Sequence, residues 1–162
     1  ALELPYKGGE IAMDLFLPKE PAGLVAFEKD MTAGGLQKLV KSMKPQDKLL
    51  VKIPLFKIEA GFSLKEALST LGMEQAFTDA ADFSGMNGKK DLKIGAVIHK
   101  AFVDVNEEGT EAAAATAVVM MSKGLDVDEP KSFIADHPFV FLIRDVRNGN
   151  VLFLGRVADP RK

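Results

Sequence analysis

The sequence predicts an α+β fold built on large antiparallel sheets, and three observations carry that prediction. Two regions far apart in the chain read as pairs of strands around turn signals: residues 2–17, and residues 139–154. Between them lie short segments whose apolar residues fall three and four apart, as on one face of a helix. Strands outnumber helices, and the two kinds are interleaved along the chain.

Residues 2–6 and 10–17 read as two strands joined by Lys7-Gly8-Gly9, with Pro18 and Pro21 closing the unit. Residues 24–29 and 36–43 read as short helices, the second preceded by Thr32 and ended before Pro45. Residues 49–59 are β-rich, and Pro54 divides them into two strand pieces or an edge. Ser63-Leu64-Lys65-Glu66 has the form of a capping box. It opens a helix with Leu64, Leu68 and Leu71 on one face and Gly72 as its stop. Residues 79–88 read as a polar loop, and residues 92–105 as one long strand. Ile94-Gly95-Ala96-Val97-Ile98 is apolar on both faces, which predicts a central position in a covered sheet. Residues 139–144 and 151–154 form a last hairpin across Arg147-Asn148-Gly149-Asn150, where both Asn148 and Gly149 tolerate a positive φ.

Composition limits the chemistry. The 162 residues are one domain's length, with 47% apolar and 27% charged residues, as in a globular protein with a core. A net charge of −2 gives no reason to expect nucleic acid or an acidic membrane as partner. The absence of Cys removes disulfides and thiolate metal sites, and His99 and His137 lie too far apart in sequence for a His-rich metal cluster. No phosphate loop, carboxylate pair or nucleophile–His arrangement is present, so no enzyme activity, catalytic residue, metal or cofactor is expected. No segment reaches the roughly 18–20 apolar residues of a membrane span. Ala1-Leu2-Glu3-Leu4-Pro5-Tyr6 already alternates like a strand, as though the chain were entered in mid-fold.

One segment fits no ordinary element. From Asn106 to Gly124 the chain runs through Ala112-Ala113-Ala114-Ala115, with Thr110 and Thr116 on either side. Propensity reads residues 111–117 as a surface helix capped by Thr110. Alternation reads a strand, one face of which carries Thr110, Ala112, Ala114, Thr116, Val118 and Met120. That face holds no charge, so the strand could enter a sheet without the several kcal/mol that burying an unpaired ion costs. Periodicity leaves both readings open.

The residues then match a family. Glu107-Glu108-Gly109-Thr110-Glu111-Ala112-Ala113-Ala114-Ala115-Thr116 resembles, nearly residue for residue, the hinge of the reactive-centre loop of an inhibitory serpin. Ala135-Asp136-His137-Pro138-Phe139 through Arg144, with Val151-Leu152-Phe153-Leu154-Gly155-Arg156-Val157, resembles the family's C-terminal strand pair. Leu2-Glu3-Leu4-Pro5-Tyr6 with Met13-Asp14-Leu15-Phe16-Leu17-Pro18 resembles an earlier hairpin of the same sheet. Phe77-Thr78-Asp79, Ala81-Asp82-Phe83-Ser84-Gly85 and Ile98-His99-Lys100-Ala101 match further motifs. The match is colinear over essentially the whole chain.

The resemblance implies a serpin fold with large antiparallel and mixed sheets. Residues 1–162 would be the C-terminal part of one domain, with an exposed reactive-centre loop at about 107–132. Serpins are more than twice this long, so an N-terminal part of the same domain is the implied partner. The implied mechanism is suicide inhibition. A serine protease attacks the loop, forms an acyl-enzyme, and is trapped when the cut loop inserts as a new strand. About ten new ladder bonds at a net ~1 kcal/mol each, with buried apolar surface, could drive this. The alternative within the family is a non-inhibitory serpin: a hormone carrier, storage protein or chaperone. Such relatives tend to carry bulky, charged or Pro residues in the hinge, where this chain has Ala112 to Ala115. Secretion is the expected location, with the cytoplasm as the alternative.

Counting along the family's loop from Glu107 places the scissile bond between Lys123 and Gly124. Lys123 would suit the anionic pocket of a trypsin-like protease, giving a covalent acyl complex. The other reading makes Lys123 a solvated charge and moves the bond to Met120 or Met121. In many serpins the counterpart of Glu107 pairs with a Lys after the Pro of the neighbouring strand. Here that position is Leu55, and Lys57 on the same strand face could substitute, against an exposed, unpaired carboxylate. His99 shares a face with Val97, Ala101 and Val103 and reads as a core residue; the resemblance puts it in the hydrogen-bonded shutter, with partners in the N-terminal part. His137, before Pro138, reads as structural. Lys38, Lys41, Lys44, Lys48 and Lys52 form a basic stretch that could take heparin, but a solvated face is the better reading.

Overall fold

A computed structural model of the chain describes residues 1–46, 48–106 and 131–161. The hinge and bond residues, Glu107 to Thr116, Lys123 and Gly124, lie outside the described residues. In chain order the strands and helices are β1 (Leu2–Pro5), β2 (Ile11–Phe16), α1 (Leu24–Asp30), α2 (Ala33–Ser42), β3 (Leu49–Lys52) and β4 (Phe56–Ser63). There follow α3 (Lys65–Leu68), α4 (Ser84–Asn87), β5 (Ile98–Val105), β6 (Lys131–Ile134), β7 (Phe139–Asp145) and β8 (Val151–Val157). Contacts divide the chain into two compact units: residues 1–56 with 105–162, and residues 57–104.

The first unit is built on a four-stranded antiparallel sheet in the order β1-β2-β7-β8. The two regions read as hairpins are thus neighbours, with Asp14 opposite Leu142 and Leu15 opposite Phe141. On one face Phe16, Val140 and Leu142 are buried with Leu24, and Phe27, Met31, Leu36 and Val40 of α1 and α2 pack against them. Each such side chain removed from water stabilises by about 1.5–3 kcal/mol. The Phe16 and Phe27 rings stack with centroids 6.0 Å apart. On the other face Met13, Leu15, Phe139 and Phe141 are fully buried, with the Phe56 ring 6.0 and 5.3 Å from the two Phe rings. Gly155 lies opposite Phe141, and that ring occupies the space a Cβ at Gly155 would need.

Thr32 caps α2 as expected: its hydroxyl accepts from the Gly35 N–H at 3.0 Å. The Pro54 break also stands, with β3 before it and β4 after. β3 pairs in parallel with β6, a strand that sequence patterning did not assign. Its four residues, Lys131-Ser132-Phe133-Ile134, are too few to show a period.

In the second unit β4 and β5 pair as a two-stranded sheet. The expected strand over 92–105 is a strand only from Ile98, which is 70% exposed. A pair of strands supplies no second neighbour, so among the described residues the apolar run 94–98 does not sit at the centre of a covered sheet. The capping box also fails. Ser63 ends β4 and accepts only from Lys65 N–H, at 3.4 Å, and α3 is a single turn. The chain then passes through a π turn, Ser69–Met73, and a 3-10 turn, Glu74–Phe77. Gly72, at φ +102°, does stop the helix, but Leu71 is 80% exposed and Phe77 is the buried residue. The final hairpin turn differs in detail as well. Gly149 alone adopts a positive φ, and Asn148 does not.

Candidate functional site

The loop that carries the predicted hinge and bond leaves β5 after Val105, which is buried, and returns at Lys131 at the head of β6. The return is firmly held. β6 runs in register with β3 from Leu49 opposite Lys131 to Lys52 opposite Ile134. The Ala135 N–H extends that ladder by donating to the Lys52 carbonyl at 2.8 Å. The Lys131 ammonium also donates to Gln46 Oε1 at 3.0 Å. Glu107, for which pairing with Lys57 and an unpaired, exposed state are the two readings, is outside the described residues. Lys57 Nζ itself lies 5.0 Å from the centroid of the Phe102 ring, a cation–π contact. Leu55, the departure from the family pattern, is exposed.

Beside this anchor the four-stranded sheet carries a buried ionic cluster that the sequence did not announce. Asp14 is fully buried, and its Oδ2 accepts from Arg144 Nε at 2.7 Å. Arg144 Nη2 donates to Glu3, whose side chain is partly exposed. Three strands are thereby joined through one guanidinium, which cannot lose its proton. Asp14 Oδ1 has no hydrogen-bond partner among the described residues. The one available signal was an Asp inside an otherwise apolar run, residues 11–17; its partner stands 130 positions away.

Two further charged corners flank the sheet. At the β7–β8 turn Asp145 accepts from Arg147 N–H at 2.9 Å and from Arg147 Nη2 at 2.7 Å, while Arg147 Nη1 reaches Glu10 at 3.0 Å. The Arg147 hydrogen bonds hold the Asp145 carboxyl down at about 2. At the turn before β7, the two ring nitrogens of His137 meet the Pro18 carbonyl at 2.8 Å and Asp136 Oδ1 at 2.7 Å. These bonds, the carbonyl first, raise the imidazole above its ordinary value and hold the Asp136 carboxyl below its own. The same corner borders an open cleft of about 540 Å³ lined by Lys19, Asp136, Asp159 and Arg161. His137 is structural, as expected, and ties two turns together.

The shutter partners expected for His99 would lie in the N-terminal part. Among the described residues His99 is exposed, at the outer end of the face that Ala101, Val103 and Val105 bury progressively. Its ring lies 5.2 Å from that of Phe62. Lys38, Lys41, Lys44, Lys48 and Lys52 are all exposed. The Asp79 to Gly85 motif is a local network: Lys93 meets Asp79 at 2.5 Å, Lys90 meets Asp82 at 2.7 Å, and Asp82 accepts from the Ser84 hydroxyl at 2.6 Å. Among the described residues no group of three or more His, Asp or Glu could hold a metal ion.

Comparison with known proteins agrees with this architecture. The chain is 44% identical over 167 residues to a leukocyte elastase inhibitor of Bos taurus, covering 98% of this chain and 43% of that protein. It is 43% identical to intracellular coagulation inhibitor 2 of Tachypleus tridentatus, covering 98% and 38%. The crystal structure of uncleaved ovalbumin superposes with a TM-score of 0.78 at 30% identity, over 96% of this chain and 38% of that one. The chain thus spans about two fifths of the length of the relatives it matches. The family model for serpins, the serine protease inhibitors, matches residues 1–160, and the chain belongs to the serpin family.

Proposed function

We propose that this chain is the C-terminal part of an inhibitory serpin domain and carries its bait: a loop cleaved by a trypsin-like serine protease between Lys123 and Gly124. The observation that carries the reading is the hinge sequence, with Ala112 to Ala115 between Thr110 and Thr116 and no charge on the face that would enter a sheet. Two similar proteins are themselves named inhibitors, one of an elastase and one of coagulation, which supports inhibition over carriage or storage. In the proposed reaction the protease serine oxygen attacks the Lys123 carbonyl carbon. The peptide bond to Gly124 breaks, the Gly124 amine leaves with a proton, and an ester to Lys123 remains. Insertion of the hinge before water reaches that ester makes the complex persistent. The name of the Tachypleus relative favours the cytoplasmic alternative over secretion.

An elastase-type target is the second reading, favoured by the name of the bovine relative. The small, apolar pocket of such enzymes suits Met120 or Met121 better than a Lys. One experiment separates the two readings. The full-length protein, mixed with trypsin, should form an SDS-stable complex and release a C-terminal peptide that begins at Gly124. Lys123→Ala should abolish rapid trypsin inhibition. A peptide that begins at Met121 or Ser122, with trypsin inhibition unchanged in Lys123→Ala, would move the bond upstream. Clean turnover of the loop with no stable complex would overturn inhibition itself.

A further inference from the structure

The two bonds made by His137 carry a consequence separate from the bait loop. A carbonyl oxygen only accepts, so the nitrogen 2.8 Å from the Pro18 carbonyl, Nε2, must bear a proton. The other, Nδ1, lies 2.7 Å from Asp136 Oδ1, and an ionised carboxylate also only accepts. Both contacts are therefore satisfied together only when the ring holds two protons and a positive charge. A neutral ring would turn a lone pair toward one of two oxygens, forfeiting that bond and adding repulsion.

We propose that His137 is a pH-sensitive staple: as an imidazolium it ties the turn after β2 to the turn before β7, and on losing a proton it releases one side of that tie. The surroundings favour the charged ring. Asp136 stands on its own turn and Glu20 on the turn after β2, both as anions. Lys19, on that same turn, and Arg161, on the C-terminal segment, oppose them along the cleft. Arg161 is itself engaged by Asp159, at 3.1 Å. The His137 side chain is 17% exposed and that of Asp136 70% exposed, so the contact to the Pro18 carbonyl is the sheltered one and solvent screens the Asp136 contact. Because the folded form holds the proton more tightly than an unfolded chain, the staple contributes fully below the ordinary imidazole value of about 6.5. Its contribution is lost as pH rises through the raised folded value.

The test is direct. In the full-length protein the His137 ring ¹H, ¹³C and ¹⁵N shifts, assigned by their loss in His137→Gln, would be followed from about pH 6 to about pH 9. His137 should keep both ring protons above the ordinary imidazole value of about 6.5, and Asp136→Asn should move its midpoint down. Thermal unfolding supplies the second measurement. The Tm difference between wild type and His137→Gln should be present at the acid end and should shrink as pH rises. His137→Lys, with a permanent cation, should lack that fall. A His137 midpoint at or below about 6.5, or a single neutral tautomer at the acid end, would overturn the staple even if the Gln variant failed to fold.

Discussion

Gly155→Ala puts the sheet's tightest contact to a quantitative test. A Cβ at position 155 would stand 2.5 Å from Phe141 Cζ and 2.7 Å from Cε1. Ordinary carbon contacts lie at about 3.5–4.0 Å, so the overlap is on the order of 1 Å. The Phe141 ring is fully buried and has Phe56 5.3 Å away on its own face of the sheet, so it cannot swing into solvent to make room. Overpacking of this kind costs about 1–3 kcal/mol. Against it stands the gain from stiffening the unfolded chain when Gly becomes Ala, about 0.4–1 kcal/mol, which is the smaller effect. A net loss of about 1–2 kcal/mol is expected, read as a lower urea midpoint at unchanged slope. In a Phe141→Leu background the same substitution should cost much less, since the atoms it strikes are gone. An equal loss in both backgrounds, or a variant within about 0.5 kcal/mol of wild type, would refute the steric account.

Arg144→Met should destabilise by about 3–5 kcal/mol in urea unfolding, because Asp14 would be left buried without its partner; adding Asp14→Leu should recover most of that loss. Asp145, held at about 2 by Arg147, stabilises the fold fully above the unfolded carboxyl value of about 3.9 and loses that contribution as pH falls through about 2. Asp145→Asn should therefore flatten the acid limb of a urea-midpoint profile over that window, and an unchanged limb would exclude the carboxylate as its source. In the full-length protein, Thr110→Arg should convert inhibitor to substrate, with the stoichiometry of inhibition of trypsin rising well above one. A value that stayed near one would mean that Thr110 does not enter the sheet.

What the sequence disclosed, and what it hid, follows from the range of the interactions. Thr32, Pro54, Gly72 and the strand-like run of residues 11–16 act within a few positions of themselves, and each appears in the structure where it was read. The Ser63–Glu66 box was misleading because the same Ser63 is claimed by the end of β4, and strand pairing outweighs a cap. The run 94–98 looked like a covered strand because its residues are apolar, yet apolarity names a preference and not the partner that would satisfy it. The tie at His137 was hidden for another reason. Its acceptor is a backbone carbonyl 119 residues away, and no side chain at Pro18 reports it. The family motifs pointed to the right neighbourhoods but not to these contacts.

The sheet and the proposed hinge answer the same physical question, how polarity is buried, in opposite ways. In the sheet Asp14 and Arg144 are carried inside as a pair, at a desolvation cost that their mutual contact and the Arg144–Glu3 contact offset. That solution suits a scaffold formed once, because the partners come together as the strands pair and need never separate. A segment meant to enter a sheet after cleavage could not use it, since any charge it carried would arrive before a partner could be arranged. The face from Thr110 to Met120 meets this constraint with methyl groups, thioether and two hydroxyls, which a ladder and its neighbours can satisfy locally. On that argument the tolerance of the two regions should be inverted. The sheet should accept an apolar pair in place of Asp14 and Arg144 but reject the loss of either alone, whereas the hinge should reject any ion on its inserting face, paired in the intact loop or not.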